Sequence, residues 1–375
     1  MQYISAFRDG NTAQAIAALI KQYASVEKHY RLMEFCGGHT HAIHRYGLPS
    51  LLPTNVEMIH GPGCPVCVLP IARIDYAIAL AMLPNVILCS YGDMLRVPGT
   101  NQRSLLKAKA DGADVRMIYS VNDALQVARQ YPQRQVIFFA IGFETTTPPT
   151  AVALMTAKKE KITNFSVFCN HVLTPVAMES LLQDKEASSN LQGFVGPAHV
   201  SIIVGSDAYH HVAMRYKKPI VISGFEPLDL MHSILLLIQQ INANKYGVEN
   251  QYTRAVNNEG NIKSQQIIQQ TLAVRDSFEW RGLGMIANSA MKINDNYVAF
   301  DAERRFPMTI SAGQEHKACE CAAILRGIKK PKDCKLFAKV CTPENPFGSC
   351  MVSSEGACAA YYAYGHISNT EGTAL

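Results

Sequence analysis

The chain has 375 residues, of which 48% are hydrophobic and 17% are charged, so it can bury a sizeable core and is not an intrinsically disordered protein. A net charge of +5 and a single Trp argue against a nucleic-acid-binding protein. The longest apolar stretches fall well short of the ~20 residues of a membrane span, and the N-terminus has no secretory pattern, so we expect a cytoplasmic protein without a membrane partner.

The first predicted element is an amphipathic helix over residues 11–30, where Ile16, Ile20 and Tyr23 recur at helical spacing. Short apolar runs then alternate with helix-length segments, a pattern that indicates βαβ units and a mostly parallel sheet. The predicted strands are residues 56–60, 85–90, 115–120, 135–141, 165–170 and 219–223. We predict an α/β fold with two parallel sheets that divide near residues 120–130, followed by helices over 227–246 and 263–275.

The segments that follow the strands contain unusual residues, for example HGPGCPVC, GFETTTPP and GPAHVS. Ligands of open α/β sheets bind beyond the carboxyl ends of the strands, so we expect the chemistry of the protein to lie there. The alternative is that Gly and Pro only form turns at these places.

The first candidate motif is CGGHTH, which contains Cys36, His39, Thr40 and His41. Its glycines allow a ligand to approach the backbone, and its imidazoles can activate a thiol or bind a metal. If the segment is extended, the two histidines face the same way. The motif is compatible with a cysteine nucleophile, with an incomplete metal site that a partner completes, or with a Gly-rich turn.

The second candidate motif is GPGCPVC, in which Cys64 and Cys67 stand where a strand passes into a helix. A Cys-x-x-Cys pair at a helix N-terminus suits reversible disulfide chemistry, because free backbone N–H groups stabilise the first thiolate. The alternative interpretation is that the two cysteines are half of a zinc site.

Glu144, in GFETT, either forms a polar wall of an active cleft or favours the start of the next helix.

Six of the eleven cysteines lie between positions 319 and 358, in a Lys-rich tail that begins near residue 280. Without an export signal, such a cluster indicates metal binding or redox chemistry more than a disulfide framework. Four thiolates suit a [4Fe–4S] cluster, with zinc as the alternative. Spacing alone leaves open whether Cys319 or Cys321, and whether Cys350 or Cys358, is a ligand.

Taken in order, CGGHTH, GPGCPVC, SYGD, GFETT, PAHVS and the terminal cysteines resemble the HypD family of hydrogenase-maturation factors, from about residue 30 to residue 360. The resemblance implies a scaffold and redox protein that helps to assemble the Fe(CN)2CO part of [NiFe]-hydrogenase sites. The implied partners are a small HypC-type chaperone and a HypE-type protein that carries cyanide as a thiocyanate.

The resemblance also implies two similar α/β domains and a smaller, mostly helical iron–sulfur domain. On this chain we expect a helix over residues 1–30 that packs on the C-terminal domain, and α/β domains over 31–122 and 123–225. A helical [4Fe–4S] domain is expected over 226–375.

The match to each family motif implies a role for individual residues. Cys36 would bind iron together with a cysteine of the HypC-type partner, and Cys64 and Cys67 would be the redox pair beside it. The implied cluster ligands are Cys319, Cys334, Cys341 and Cys358, with Cys321 and Cys350 as an adjacent disulfide. Soft thiolates suit low-spin iron, and Thr40, His41 and the N–H groups of Gly37 and Gly38 are candidate donors to cyanide nitrogen. A relay from the cluster through the two dithiols to the iron would supply the electrons.

Two other functions compete with metal-centre assembly. A thiol–disulfide oxidoreductase, similar to ferredoxin–thioredoxin reductase and acting on a protein substrate, would need the cluster and Cys64–Cys67 but not Cys36. A structural zinc protein would bind the metal through its cysteines and would have no redox role. Whether the chain is itself an enzyme is left open by the sequence.

Overall fold

The computed structural model describes residues 5–309 and 313–365. Residues 1–4 of the predicted N-terminal helix, and residues 310–312 and 366–375 of the predicted C-terminal domain, lie outside the described residues. The strands are β1 (Tyr30–Glu34), β2 (Val56–His60), β3 (Val86–Ser90), β4 (Asp114–Met117), β5 (Gln135–Gly142), β6 (Phe165–His171), β7 (Gly193–Pro197), β8 (Ile220–Ser223), β9 (Val248–Asn250), β10 (Leu272–Val274), β11 (Ser277–Trp280), β12 (Gly284–Ala287) and β13 (Met291–Ile293).

The α-helices are α1 (Gly10–Tyr23), α2 (Gly37–Arg45), α3 (Pro65–Val68), α4 (Ile71–Ala81), α5 (Leu105–Ala110), α6 (Val121–Gln130), α7 (Thr147–Glu160), α8 (Thr174–Gln183), α9 (Lys185–Ser188), α10 (Ala198–Val204), α11 (His210–Tyr216), α12 (Pro227–Asn242), α13 (Ile262–Thr271), α14 (Ala302–Arg305), α15 (Cys321–Leu325) and α16 (Ala357–Tyr364). In the described part of the chain, no helix has the length and apolarity that crossing a membrane requires.

Helices begin where the sequence supplies a cap. The Asp9 carboxylate accepts the N–H of Thr12 at the start of α1, and Ser120 forms a capping box with Asp123 at the start of α6. Pro227 occupies the first turn of α12, where its missing N–H leaves no bond unmade.

The predicted α/β architecture with two parallel sheets is confirmed. The first sheet has the order β2-β1-β7-β8-β9, the second has the order β4-β3-β5-β6, and all of their pairings are parallel. Strands β3, β6 and β8 are buried along their whole length, as expected for parallel strands covered on both faces.

The chain does not divide between the sheets at the predicted place. The first sheet takes its strands from residues 30–60 and 193–250, whereas the second is formed by the intervening residues 86–171. Both β4 and β5 pair with β3, so the expected boundary between residues 122 and 123 falls inside the second sheet. The difference arises because the chain returns to the first sheet after β6.

Two central strands of the first sheet lie outside the predicted apolar runs. Strand β1 contains the buried carboxylate of Glu34, and β7 contains glycines and ends in a proline. A Cβ on Gly196 would lie 2.6 Å from Ile222 Cδ1, so a larger residue there would force the Ile222 side chain on β8 to move. These strands are specified by their neighbours and not by an apolar pattern.

The segment expected to be a helical C-terminal domain contributes one strand to the first sheet and packs against the second. Helix α12 packs on β7 and β8, and β9 is the edge strand of the first sheet. Two antiparallel ladders follow, β10 with β13 and β11 with β12, and β13 packs against β6 of the second sheet. The N-terminal helix α1 packs on α12, where Ile20 joins an apolar cluster with Met231.

We call residues 313–365 the cysteine-rich segment. It contains the short helix α15 and the helix α16, which packs against α2. One buried apolar cluster contains Phe194 of the first sheet, Phe139 of the second sheet and Met351 of the cysteine-rich segment. The three parts therefore share a core, and the carboxyl ends of the strands in both sheets lie next to the cysteines.

Candidate functional site

The site is built around Cys36, which follows β1 and forms the N-cap of α2. Its backbone is extended (φ −155°, ψ 125°), and its side chain is buried. A Cβ on Gly63 would lie 2.5 Å from Cys36 Cα, and the N–H of Gly37 donates to Gly63 O at 2.8 Å. Glycine at position 63 therefore lets the loop after β2 lie directly against Cys36.

The loop after β2 ends in a disulfide between Cys64 and Cys67, and we call residues 61–67 the disulfide loop. Cys64 is the N-cap of α3, its sulfur accepts the N–H of Cys67 at 3.2 Å, and Pro65 begins the helix. The sequence correctly predicted that this motif stands where a strand passes into a helix. Both sulfur-bearing side chains are buried, at 3% and 0% exposure.

A buried carboxylate, Glu34, connects Cys36 with helix α2 and with the end of β2. Glu34 Oε2 accepts the N–H of Cys36 at 2.8 Å, while Oε1 accepts the hydroxyl of Thr40 and the Nδ1–H of His60, the latter at 2.9 Å. His60 Nε2 in turn lies 2.8 Å from His44 Nε2. Because Nδ1 of His60 donates, its Nε2 accepts, so His44 donates to it.

The Glu34–His60–His44 chain was not predicted from the sequence. The available signal was a carboxylate between Met33 and Phe35, because a buried charge must have partners.

The Cys36 thiol is held in its neutral form. Burial, followed by the charges of Glu355 and Glu34, raises the pKa of the Cys36 thiol, although backbone N–H groups of Gly38 and His39 oppose the shift. Glu355 of the cysteine-rich segment lies against the motif, because a Cβ on Gly37 would be 2.5 Å from Glu355 Cβ. Deprotonation of Cys36 therefore requires a cationic partner.

The motif is helical, so the condition of an extended segment, under which His39 and His41 would face the same way, is not met. Two residues span about 200° on a helix. His39 Nε2 donates to Ser223 O at 3.0 Å, at the end of β8, whereas His41 Nε2 lies 3.2 Å from the hydroxyl of Tyr364. Burial lowers the pKa of both imidazoles.

His39 is fully buried, and within the described residues its Nδ1 has no hydrogen-bond partner. Since Nε2 carries the proton, Nδ1 offers a lone pair inside the site. The ring of Phe225 lies between His39 and His199, with ring centroids 5.0 Å and 4.0 Å away. Gly38 makes room for this ring, because its Cβ would be 2.9 Å from Phe225 Cε1.

Two of the donors that were candidates for cyanide are already engaged. The N–H of Gly37 donates to Gly63, and the hydroxyl of Thr40 donates to Glu34. The N–H of Gly38 points to the sulfur of Cys36 itself. The sequence could not show these bonds, because they depend on β1 and β2 being neighbours.

Glu144 lies beyond β5 and is buried against the start of α8. Its carboxylate accepts the N–H of Thr174 at 2.7 Å and the hydroxyl of Thr174 at 2.9 Å. Burial raises the pKa of Glu144 to about 7 despite these bonds. Burial, and next the charge of Glu144 and more weakly that of Cys36, raises the pKa of Tyr209, so this phenol lies within electrostatic range of both groups.

The cysteines at the chain's end gather around Cys321. Hydrogen bonds with the Cys321 sulfur are the leading cause of the raised thiol pKa of Cys319 and of Cys358. A Cβ on Gly348 would lie 2.7 Å from Cys319 Sγ and would overlap Cys321 Sγ. The charge of Cys350 acts on Cys358, and those of Cys321 and Cys319 act on Cys341.

Soft thiols in this number fit an iron–sulfur cluster in donor chemistry. In the described part of the chain, however, no three His, Cys, Asp or Glu side chains are arranged to hold a metal ion. The Cys334 sulfur lies 3.9 Å from Ala318 O, directly before Cys319. Cys321 and Cys350, implied to be a disulfide, are free thiols. Cys89 and Cys169 are fully buried in β3 and β6, where they belong to the core.

Comparison with known proteins gives consistent matches over nearly the whole chain. The family model HypD, described as the hydrogenase formation hypA family, matches residues 11–365. The chain is 59% identical to hydrogenase maturation factor HypD of Azotobacter vinelandii over 368 residues, which covers 97% of each chain. It is 56% identical to the HypD of Rhizobium leguminosarum bv. viciae (97% and 96% covered) and 45% identical to that of Escherichia coli K12 (97% and 98% covered).

Proposed function

The chain belongs to the HypD family, and on that premise we propose that it is a hydrogenase maturation factor that serves as scaffold and redox protein for assembly of the Fe(CN)2CO unit. The observation that carries this proposal is the contact between the backbones of Cys36 and Gly63, which puts a buried, unpaired thiol beside a disulfide loop. A thiolate ligand and a two-electron carrier in one place are the requirements of an assembly site for low-spin iron.

Cys36 binds the iron that is assembled. Its thiol is neutral in the buried site, so ferrous iron supplies the positive charge that allows the proton to leave. The nearby carboxylates of Glu34 and Glu355 further favour a cation over an empty site. A cysteine of a HypC-type chaperone provides a second thiolate, because Cys36 alone cannot complete the coordination.

Cys64 and Cys67 supply electrons for cyanide transfer. Cleavage of the S–C bond of a thiocyanate carried by a HypE-type protein takes two electrons and releases a thiolate and cyanide. Closure of the Cys64–Cys67 dithiol to the disulfide provides those two electrons and releases two protons. The bond of His39 to Ser223 and the engaged donors of α2 hold the first turn of that helix in place beside Cys36, and His39 Nδ1 keeps a lone pair there.

The cysteine-rich segment holds the resident cofactor in this proposal. Cys319, Cys334, Cys341 and Cys358 would be the ligands of a [4Fe–4S] cluster, which supplies single electrons when bound. Cys321 lies between Cys319 and Cys358, so it and Cys350 are available for thiol–disulfide exchange. The cytoplasm, where thiols stay reduced, is the compartment we propose.

The test uses a bacterial host that lacks its own HypD gene. Cys36→Ala and Cys64→Ala should each abolish hydrogenase activity, and the wild-type protein isolated with its chaperone should have infrared bands of iron-bound CN and CO. Cys89→Ala is the matched control, because Cys89 is an equally buried thiol in the core of the second sheet. Full maturation with Cys36→Ala or Cys64→Ala would contradict the proposal.

The second candidate is a thiol–disulfide oxidoreductase, which the Cys64–Cys67 disulfide by itself would favour. The contact of the disulfide loop with the backbone of Cys36 argues against it, because an oxidoreductase would not need that thiol. Reduction of a test disulfide protein by the Cys36→Ala variant at the wild-type rate, with no CN or CO bands in the wild type, would favour the oxidoreductase.

A further inference from the structure

Arg281 lies between the disulfide loop and the cysteine-rich segment, and its guanidinium is buried, with 2% of the side chain exposed. Its backbone N–H donates to Val68 O at 2.7 Å, at the end of α3. The next residue, Gly282, lies against α15, because a Cβ there would be 3.0 Å from Ala322 Cα. The backbone around Arg281 therefore joins the helix of Cys67 to the helix that begins at Cys321.

One hydroxyl group connects the guanidinium with a disulfide cysteine. Arg281 Nη1 donates to Ser349 Oγ at 3.0 Å, and Ser349 Oγ donates to the carbonyl of Cys67 at 2.9 Å. Ser349 is fully buried and is the neighbour of Cys350. Arg281 thus has a fixed position beside the disulfide loop.

The positive charge of Arg281 is poorly compensated in this state. Among the described residues, Nε and Nη2 are buried without a hydrogen-bond partner. Glu315 Oε1 lies 3.5 Å from Nε, but Glu315 is 39% exposed, so water weakens this ion pair. A guanidinium stays protonated in a protein, and a buried charge with unused donors is costly. Such a group needs an anion that appears in another state of the site.

We propose that Arg281 is a positioning residue that stabilises the reduced form of Cys64 and Cys67, so that their disulfide is easier to reduce. A dithiol donor gives two electrons and two protons, the S–S bond breaks, and two thiols form while the donor closes to its own disulfide. Loss of one of these protons to solvent leaves a thiolate near the guanidinium. A neighbouring Arg favours the thiolate, and stabilisation of the reduced form makes a disulfide more oxidising.

The experiment measures the equilibrium between Cys64–Cys67 and dithiothreitol in the full-length protein under anaerobic conditions at pH 8. Differential alkylation followed by mass spectrometry of the peptide with Cys64 and Cys67 reports this pair separately from the other cysteines. The variants are Arg281→Met, which keeps the length of the side chain without charge, and Arg281→Lys, which keeps the charge. Arg96→Met is the control, because Arg96 also bonds the cysteine-rich segment, at Val352 O, but is 43% exposed.

Arg281→Met should shift the equilibrium about tenfold towards the disulfide, which corresponds to about 30 mV for a two-electron couple. Arg281→Lys keeps the charge, so its equilibrium should lie much closer to that of the wild type than to that of Arg281→Met. Arg96→Met should leave the equilibrium within about twofold of the wild type. An unchanged equilibrium in a folded Arg281→Met protein, whatever its iron content, overturns the proposal.

If Arg281→Met does not fold, Ser349→Ala is measured instead. This variant removes the hydroxyl that holds the guanidinium beside Cys67, so it should shift the equilibrium in the same direction, and a wild-type equilibrium would again overturn the proposal. The inference depends on the disulfide and not on hydrogenase maturation, so the two proposals can fail separately.

Discussion

Replacement of Glu34 by Ala should destabilise the protein more than the loss of any exposed carboxylate. Three buried donors depend on this side chain, namely the N–H of Cys36, the hydroxyl of Thr40 and Nδ1–H of His60. A buried donor without an acceptor costs about 1–3 kcal/mol. Because the Thr40 hydroxyl can rotate to another acceptor, we expect Glu34→Ala to lower the free energy of unfolding by about 4 kcal/mol.

Glu57→Ala is the matched control for Glu34→Ala. Glu57 lies on β2, the neighbouring strand, and forms ion pairs with Arg31 at 3.0 Å and with Lys330 at 2.5 Å. Its side chain is 31% exposed, so its loss should cost less than about 1 kcal/mol.

Urea denaturation gives both free energies. Circular dichroism follows the helices, and fluorescence follows Trp280, the single Trp of the chain, which is buried. The reasoning is refuted if Glu34→Ala and Glu57→Ala differ by less than about 1 kcal/mol at an unchanged slope with urea.

Three further predictions concern packing and pH. Gly63→Ala would push a methyl group into the backbone of Cys36, so it should lower the free energy of unfolding by about 3 kcal/mol and speed up amide hydrogen exchange in the disulfide loop. Gly10→Ala, whose methyl group would point into open space, should leave the free energy of unfolding unchanged, and equal effects of the two variants would contradict the packing argument. The pKa of Glu144 is raised to about 7 from 4.5, so its stabilising effect is complete below pH 4.5 and is lost as the pH rises through 7. The free energy of unfolding of Glu144→Gln should therefore exceed that of the wild type by about 3 kcal/mol at pH 8.5 and equal it at pH 4.5. A difference in urea titrations that does not change with pH would exclude this account. Burial lowers the pKa of His44 to about 3 from 6.5, so its contribution to the free energy of unfolding is complete above pH 6.5 and falls by about 3 kcal/mol between pH 6.5 and 4. Urea titrations of His44→Gln should show a pH dependence of the unfolding free energy that is smaller by one bound proton than that of the wild type.

Local patterns predicted six of the nine described strands in the two parallel sheets, because each of these apolar runs is long enough to be buried on both faces. The runs at 56–60, 135–141 and 165–170 agree with β2, β5 and β6 to within a residue. The same patterns missed β1 and β7, where a buried glutamate and two glycines replace the apolar alternation. These residues make sense only beside their partners, since Glu34 needs His60 and Gly196 needs Ile222.

The order of strands was beyond the reach of local patterns. Strand β1 pairs with β7, more than 150 residues later, and no feature within either strand names that partner. The expected boundary at residues 122–123 assumed that each domain is one continuous stretch of the chain. In the structure, the chain returns to the first sheet after β6, so the first sheet is built from two separate stretches.

The sequence by itself determined which residues are candidates for chemistry, because thiols, imidazoles and glycines that follow strand ends are rare combinations. The rest of the fold needs only apolar runs and turns. It placed Cys36, Cys64 and Cys67 in motifs and predicted the helix that begins at the disulfide. Only the tertiary structure decided that the two motifs touch at Gly63, that Glu34 holds the motif through His60, and that Arg281 lies beside Cys67. The physical reason is that burial, pKa and hydrogen-bond partners arise from groups far apart in the chain, which meet only when parallel strands align their carboxyl ends.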